Sequence, residues 1–215
     1  MKHQFDINEV DTDNSFCIGC KCYNSRYVLS LTNASSVLET EDTAIVILKN
    51  PASTCKSYIF WGTPMCDVCD VDKTTQHLIN ILFVKNNYKK IITLNLFSYY
   101  DNIPATINSV YRGVDKGVMN QAYVENLKEM VKIISTNPTA DIYCAWGNRS
   151  GIKQGIYHKA ILDVYKILKN CSNNIYMYSS TGKNKINLAS LTSKKITIKE
   201  LRLNRYLYPL HGLMW

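Results

Sequence analysis

The hydrophobic residues of this chain fall into short dense runs separated by helical stripes. Thr43 to Leu48, TAIVIL, is almost purely β-branched and aliphatic, which predicts a strand buried on both faces. Lys90 to Leu96, KIITLNL, repeats the pattern, and Asp141 to Trp146, DIYCAW, and Asn174 to Tyr178 predict two further strands. Tyr27 to Leu31 is a shorter strand candidate. Between the runs the period changes. Leu78, Ile79, Leu82 and Phe83 form the apolar stripe of a helix predicted from Asp72 to about Asn86. Leu127, Met130, Val131 and Ile134 do the same for a helix near Asn120 to Ser135, and Ile152 to Leu168 predicts another.

Strands that alternate with helices argue for a parallel sheet covered on both faces. The expected fold is α/β: a three-layer α/β/α sandwich around a central, mainly parallel four-stranded sheet. Residues 1–25 are polar and without period, an N-terminal arm bearing cysteines, and 26–215 read as a single domain. The stretch from Pro51 to Asp70 collects Gly, Pro and aromatic residues and reads as a long loop, and SYYDNIPATIN after Phe97 reads as a polar loop. Beyond Ser179 the chain is Lys-rich and less periodic.

A length of 215 residues suits one sizeable core, and 46% hydrophobic with 20% charged residues is an ordinary globular composition. No apolar run approaches bilayer length, and MKHQFDINEVDTDN lacks the core of a signal peptide, so no membrane partner and a cytoplasmic location are expected. The formal charge of +8 is concentrated after Lys128 and favours a polyanionic partner, DNA before others. A monomer is the expected form.

Eight cysteines without an export signal argue against a disulfide framework. Cys17, Cys20 and Cys22 read C-x-x-C-x-C, and Cys66 and Cys69 read C-x-x-C. Cys17, Cys20, Cys66 and Cys69, with Cys22 as an alternative, have the chemistry of a tetrahedral structural zinc site; an iron-sulfur cluster is the lesser alternative. Cys55, Cys144 and Cys171 read as packed thiols.

The strand ends carry the rest of the chemistry. Asn50 follows the first core strand, Asn95 ends the second, and Trp146-Gly147 ends the third. In a parallel sheet all three share one edge, where ligands bind. Amides, hydroxyls and aromatic rings there, with no carboxylate pair, phosphate loop or Ser-His-Asp set, suit recognition of a flat heteroaromatic ring.

Asn50-Pro51-Ala52-Ser53-Thr54, Asn95-Leu96-Phe97 and Ala145-Trp146-Gly147, each after a hydrophobic strand, resemble an uncharacterised bacterial and phage family with motifs in this order. The same order resembles the uracil-DNA glycosylase superfamily, its mismatch-specific branch in particular. Asn187-Leu188-Ala189-Ser190-Leu191-Thr192 is similar to that branch's late motif, without its proline and without a histidine; Tyr208-Pro209-Leu210-His211-Gly212 is an alternative late motif. The resemblance spans roughly Arg26 to Thr192.

What the resemblance implies is a monofunctional DNA N-glycosylase, a hydrolase that needs no cofactor for catalysis. Asn50 would hold the attacking water, and Asn187 would sit near the glycosidic bond or in the minor groove. Pro51, Ser53, Thr54, Asn95, Phe97 and Trp146 would bind the flipped base, and Lys183, Lys185, Lys194 and Lys195 would hold phosphates. An amide cannot take a proton at neutral pH, so Asn50 would orient water rather than act as base. The alternative is a module that binds a modified base or nucleotide in the same pocket without cleaving it. A free nucleoside hydrolase fits less well, because the usual carboxylate cluster is missing.

Overall fold

A computed structural model describes residues 5–8, 14–18, 21–33, 42–51, 78, 79, 82, 83, 86–99, 103–118, 120–146 and 151–177. The strands are β1 (Phe5–Asn8), β2 (Asn14–Ile18), β3 (Lys21–Ser25), β4 (Val28–Asn33), β5 (Thr43–Leu48), β6 (Lys90–Asn95), β7 (Asp141–Cys144) and β8 (Ile175–Met177). The helices with full bounds are α1 (Pro104–Val110), α2 (Gln121–Thr136) and α3 (Gln154–Lys169).

The fold is mixed α/β. A six-stranded sheet runs in the order β1-β4-β6-β5-β7-β8, and β2 and β3 form a separate hairpin. β5 pairs in parallel with both β6 and β7, and β7 with β8, whereas β4 lies antiparallel to β6 and β1 antiparallel to β4. The parallel part therefore comprises the expected strands. The sheet is wider than expected, because an antiparallel pair extends it beyond β6.

In chain order the parallel strands run second, first, third, fourth. The chain steps from β5 to β6 on one side, then crosses back to β7 on the other. A right-handed crossover puts its helix on one face when the chain steps one way and on the other face when it steps back. The burial pattern agrees. Ile45 and Ile47 of β5 join one core cluster with Ile107 and Val110 of α1, Met130 and Ile134 of α2, and Ala160, Ile161 and Val164 of α3. Ala44 and Val46, on the opposite face, join a second cluster with the helical residues Leu78, Ile79, Leu82 and Phe83. Those residues are the stripe expected of the helix that follows β5.

Two local expectations need correction. The N-terminal arm is not without structure: the backbone of β1 pairs with β4 from Phe5 opposite Asn33, and β2 and β3 pair with each other. Polar sequences such as FDIN and KCYNS hide strands whose pairing is set by neighbours rather than by their own hydrophobic content. The polar loop after Phe97 contains α1, which opens on Pro104, a residue suited to a first helical turn, and buries Ile107 and Val110.

Asparagines tie these helices together. Asn120 caps α2 by accepting from Tyr123 N at 3.0 Å, and its Nδ2 donates to Val110 O at 2.7 Å. Asn108 of α1 donates to Gly151 O at 3.2 Å and accepts from Lys153 N at 2.7 Å, so it anchors the segment leading into α3. Between α1 and α2, Gly113 adopts φ 85°, and a Cβ there would lie 2.8 Å from a Val118 methyl carbon.

Candidate functional site

The strand order puts a topological switch point at the carboxyl ends of β5 and β7, from which the chain crosses to neighbours on opposite sides, the kind of position where open α/β sheets bind ligands. Backbone pairing continues past the strands. Leu96 N donates to Leu48 O at 2.8 Å, Phe97 N to Lys49 O at 2.9 Å, and Ala145 N to Ile47 O at 2.8 Å. The loops that carry Asn50, Phe97 and Trp146 are thus held side by side at one edge.

Their side chains do not share one environment. Phe97 and Trp146 are 0% and 3% exposed and belong to the core cluster beneath α1, α2 and α3. Phe97 packs against Tyr111 with ring centroids 5.0 Å apart. Both rings are filled by the protein's own packing on this face, which differs from the stacking platform expected of them. Along β6, Ile92 and Leu94 face that cluster and Ile91 faces the other, so alternation assigns Asn95 to the second face together with Thr93.

Asn95 is 1% exposed, and its Nδ2 makes a long 3.5 Å contact to Arg26 O. Its Oδ1 has no hydrogen-bond partner among the described residues. A buried amide oxygen left unmatched costs about 1–3 kcal/mol, so such an atom calls for an explanation. Its main-chain oxygen, in contrast, is well held: Asn126 Nδ2 donates to it at 2.8 Å. Asn126 was not marked by the motifs. The signal for it was a polar residue on an otherwise apolar stripe, since Ala122, Met130 and Ile134 flank it at intervals of four.

Asn50 is partly buried and donates through Nδ2 to Pro51 O at 3.2 Å, and Pro51 is buried. Lys49, beside it, is partly buried, and burial pulls its ammonium below the ordinary lysine value. The segments Lys49–Pro51, Asn95–Tyr99 and Ala145–Trp146 contain no carboxylate. Such an edge can orient, donate and accept hydrogen bonds, but these segments supply no group that takes a proton as a carboxylate does.

Ser53, Thr54, Asn187, Lys183, Lys185, Lys194 and Lys195 lie outside the described residues, as do Cys20, Cys66 and Cys69. The β2–β3 hairpin sets Cys17 opposite Cys22 in register. Among the described residues, no group of three or more His, Cys, Asp or Glu is arranged to hold a metal. Nor is any described helix long and apolar enough to cross a membrane.

Other features lie away from this edge. At the amino ends of the strands, the Tyr88 hydroxyl bonds to the Asp141 carboxylate and lies 2.6 Å from the Tyr143 hydroxyl. A groove of about 420 Å³ opens between the C-terminal turns of α2 and α3, lined in part by Val131, Pro138, Ile167 and Cys171.

No curated protein and no solved structure matches the chain. The model of one family, described as a protein of unknown function (DUF1643), matches residues 26–187, a span that takes in the parallel sheet, its helices and the carboxyl-edge loops, and the chain belongs to that family.

Proposed function

We propose that this protein takes a nucleobase into the carboxyl edge of its sheet and, as a DNA glycosylase-like hydrolase, cleaves the N-glycosidic bond of a modified or mismatched base flipped out of DNA. The observation that carries this reading is the Asn95 side chain: a buried amide at the sheet's binding edge whose Oδ1 is unmatched among the described residues. An N–H on a base edge would complete it. Helices on both faces and the switch point between β5 and β7 support a three-layer arrangement of the glycosylase kind. Asn50 is the proposed holder of the attacking water, and the net charge of +8 suits a DNA partner. Asn187 near the glycosidic bond, Ser53 and Thr54 at the base, and the lysines from Lys183 to Lys195 at the phosphates complete the proposal.

The test is abasic-site formation on genomic DNAs that carry different modified bases, read as strand scission after alkali. Wild-type protein should produce scission on at least one such DNA, and Asn50→Ala and Asn95→Ala should each slow it by about a hundredfold. Scission at wild-type rate by Asn50→Ala would remove the water-holding role.

A second reading, capture of a base without cleavage, is favoured by the lack of a carboxylate in the edge segments named above. Measurable binding of DNA with no scission on any substrate would select it. A structural zinc on Cys17, Cys20, Cys66 and Cys69, or with Cys22 in the set, predicts stoichiometric zinc in protein purified without chelator.

A further inference from the structure

Halfway along the buried stripe of α2 sits a primary amide. Ala122, Asn126, Met130 and Ile134 recur every fourth residue, and all are buried, Asn126 at 2% exposure. Such a group is destabilising in a core unless its polar atoms are matched. Asn126 Nδ2 donates to Asn95 O at 2.8 Å and lies within 3.4 Å of Leu96 O. Successive carbonyls of an extended strand point to opposite sides, so one amide that reaches both marks the place where β6 leaves its pleat. That place is the residue whose own Oδ1 is unmatched.

We propose that Asn126 is a positioning residue for base recognition: by holding the Asn95 and Leu96 carbonyls it sets the backbone from which the Asn95 side chain meets its ligand. This role rests on the reading of the carboxyl edge as a base site, and Asn126 itself need not touch the base. Removing it frees the Asn95 backbone to relax, and a displacement of about 1 Å in a binding group is enough to cost one to two orders of magnitude.

The experiment titrates the full-length chain with free uracil, thymine, 5-hydroxymethyluracil and cytosine by ligand-observed NMR. Asn126→Ala should stay folded by near-ultraviolet circular dichroism yet weaken the preferred base by about tenfold or more. The double variant with Asn95→Ala should bind no worse than Asn95→Ala alone, because both act through one contact. A folded Asn126→Ala that binds like wild type overturns the proposal, and so does a loss that adds in full to that of Asn95→Ala. Should Asn126→Ala fail to fold, the side-chain amide signals of Asn126 in ¹⁵N-labelled wild type decide: they should be protected from exchange and shift when base is added, and unmoved signals overturn the role. Wild type that binds none of the bases would remove the base site itself, a separate result, and the positioning role with it.

Discussion

The Tyr111 hydroxyl lies 3.2 Å from Ser98 Oγ while its ring leans at 54° against Phe97. The two contacts fasten the turn after β6 to the end of α1, immediately beyond Asn95. Burial pushes the Tyr111 phenol up to about 12, so it remains protonated and able to donate at any physiological pH. Tyr111→Phe keeps the ring and leaves Ser98 without this partner, which should cost about 1–2 kcal/mol in urea unfolding. Tyr111→Ala empties the ring's place as well and should cost about 3–5 kcal/mol. A Phe variant as stable as wild type would show that the hydroxyl pair adds nothing.

Asn95 should trade stability for recognition. Leucine has nearly the same shape; it removes the desolvation cost of the unmatched Oδ1 and gives up only the long 3.5 Å contact from Nδ2 to Arg26 O. Asn95→Leu is therefore expected to unfold at the same or a higher urea concentration than wild type, by up to about 1 kcal/mol, while losing base binding. Destabilisation by several kcal/mol would mean that Oδ1 is matched in the native protein and is not waiting for a ligand.

Lys49 gives a pH signature. Its ammonium is pulled below 10.5 by burial, so the unfolded chain holds this proton more tightly than the folded one. The resulting penalty is fully present below the folded value and fades as pH rises towards the ordinary lysine value. Lys49→Met should raise the melting temperature at neutral pH, and its advantage should shrink as pH rises towards about 10. An advantage that grows with pH has the wrong sign for this account.

Asp163 predicts the opposite dependence. Burial alone would raise its carboxyl, but the ammonium groups of Lys159 and Lys166 and the Tyr123 hydroxyl hold it below the usual aspartate value. The stabilisation is present above the unfolded value and is lost as pH falls through the lowered folded one. Asp163→Asn should cost about 1 kcal/mol at neutral pH, and the gap to wild type should close below about pH 4. Denaturant midpoints of the two proteins across pH measure it.

Much of the fold was legible because burial on two faces writes itself into sequence. Thr43 to Leu48 and Lys90 to Asn95 are strands, as their β-branched runs predict, and Leu78, Ile79, Leu82 and Phe83 are buried as their spacing predicts. β1, β2 and β3 were not legible, since pairing with a neighbour can order a polar segment that has no hydrophobic period of its own. α1 was hidden by its brevity and by its Asn, Ser and Thr content, which reads as loop until Ile107 and Val110 find the core.

By itself the sequence determined the core strands β5 to β8 and the helices that carry an apolar stripe, since β-branched runs and four-residue stripes are local properties of the chain. It also determined that amides and aromatic residues follow the core strands. Only the tertiary structure decided the strand order, the antiparallel extension beyond β6, and the division of the edge that buries Phe97 and Trp146 on one face and assigns Asn95 to the other. It alone brought Asn126 to the Asn95 carbonyl, across 31 positions of chain. The physical reason is that side-chain period is written residue by residue, whereas which strand lies beside which, and which polar atom remains unmatched, depends on the packing of the whole sheet.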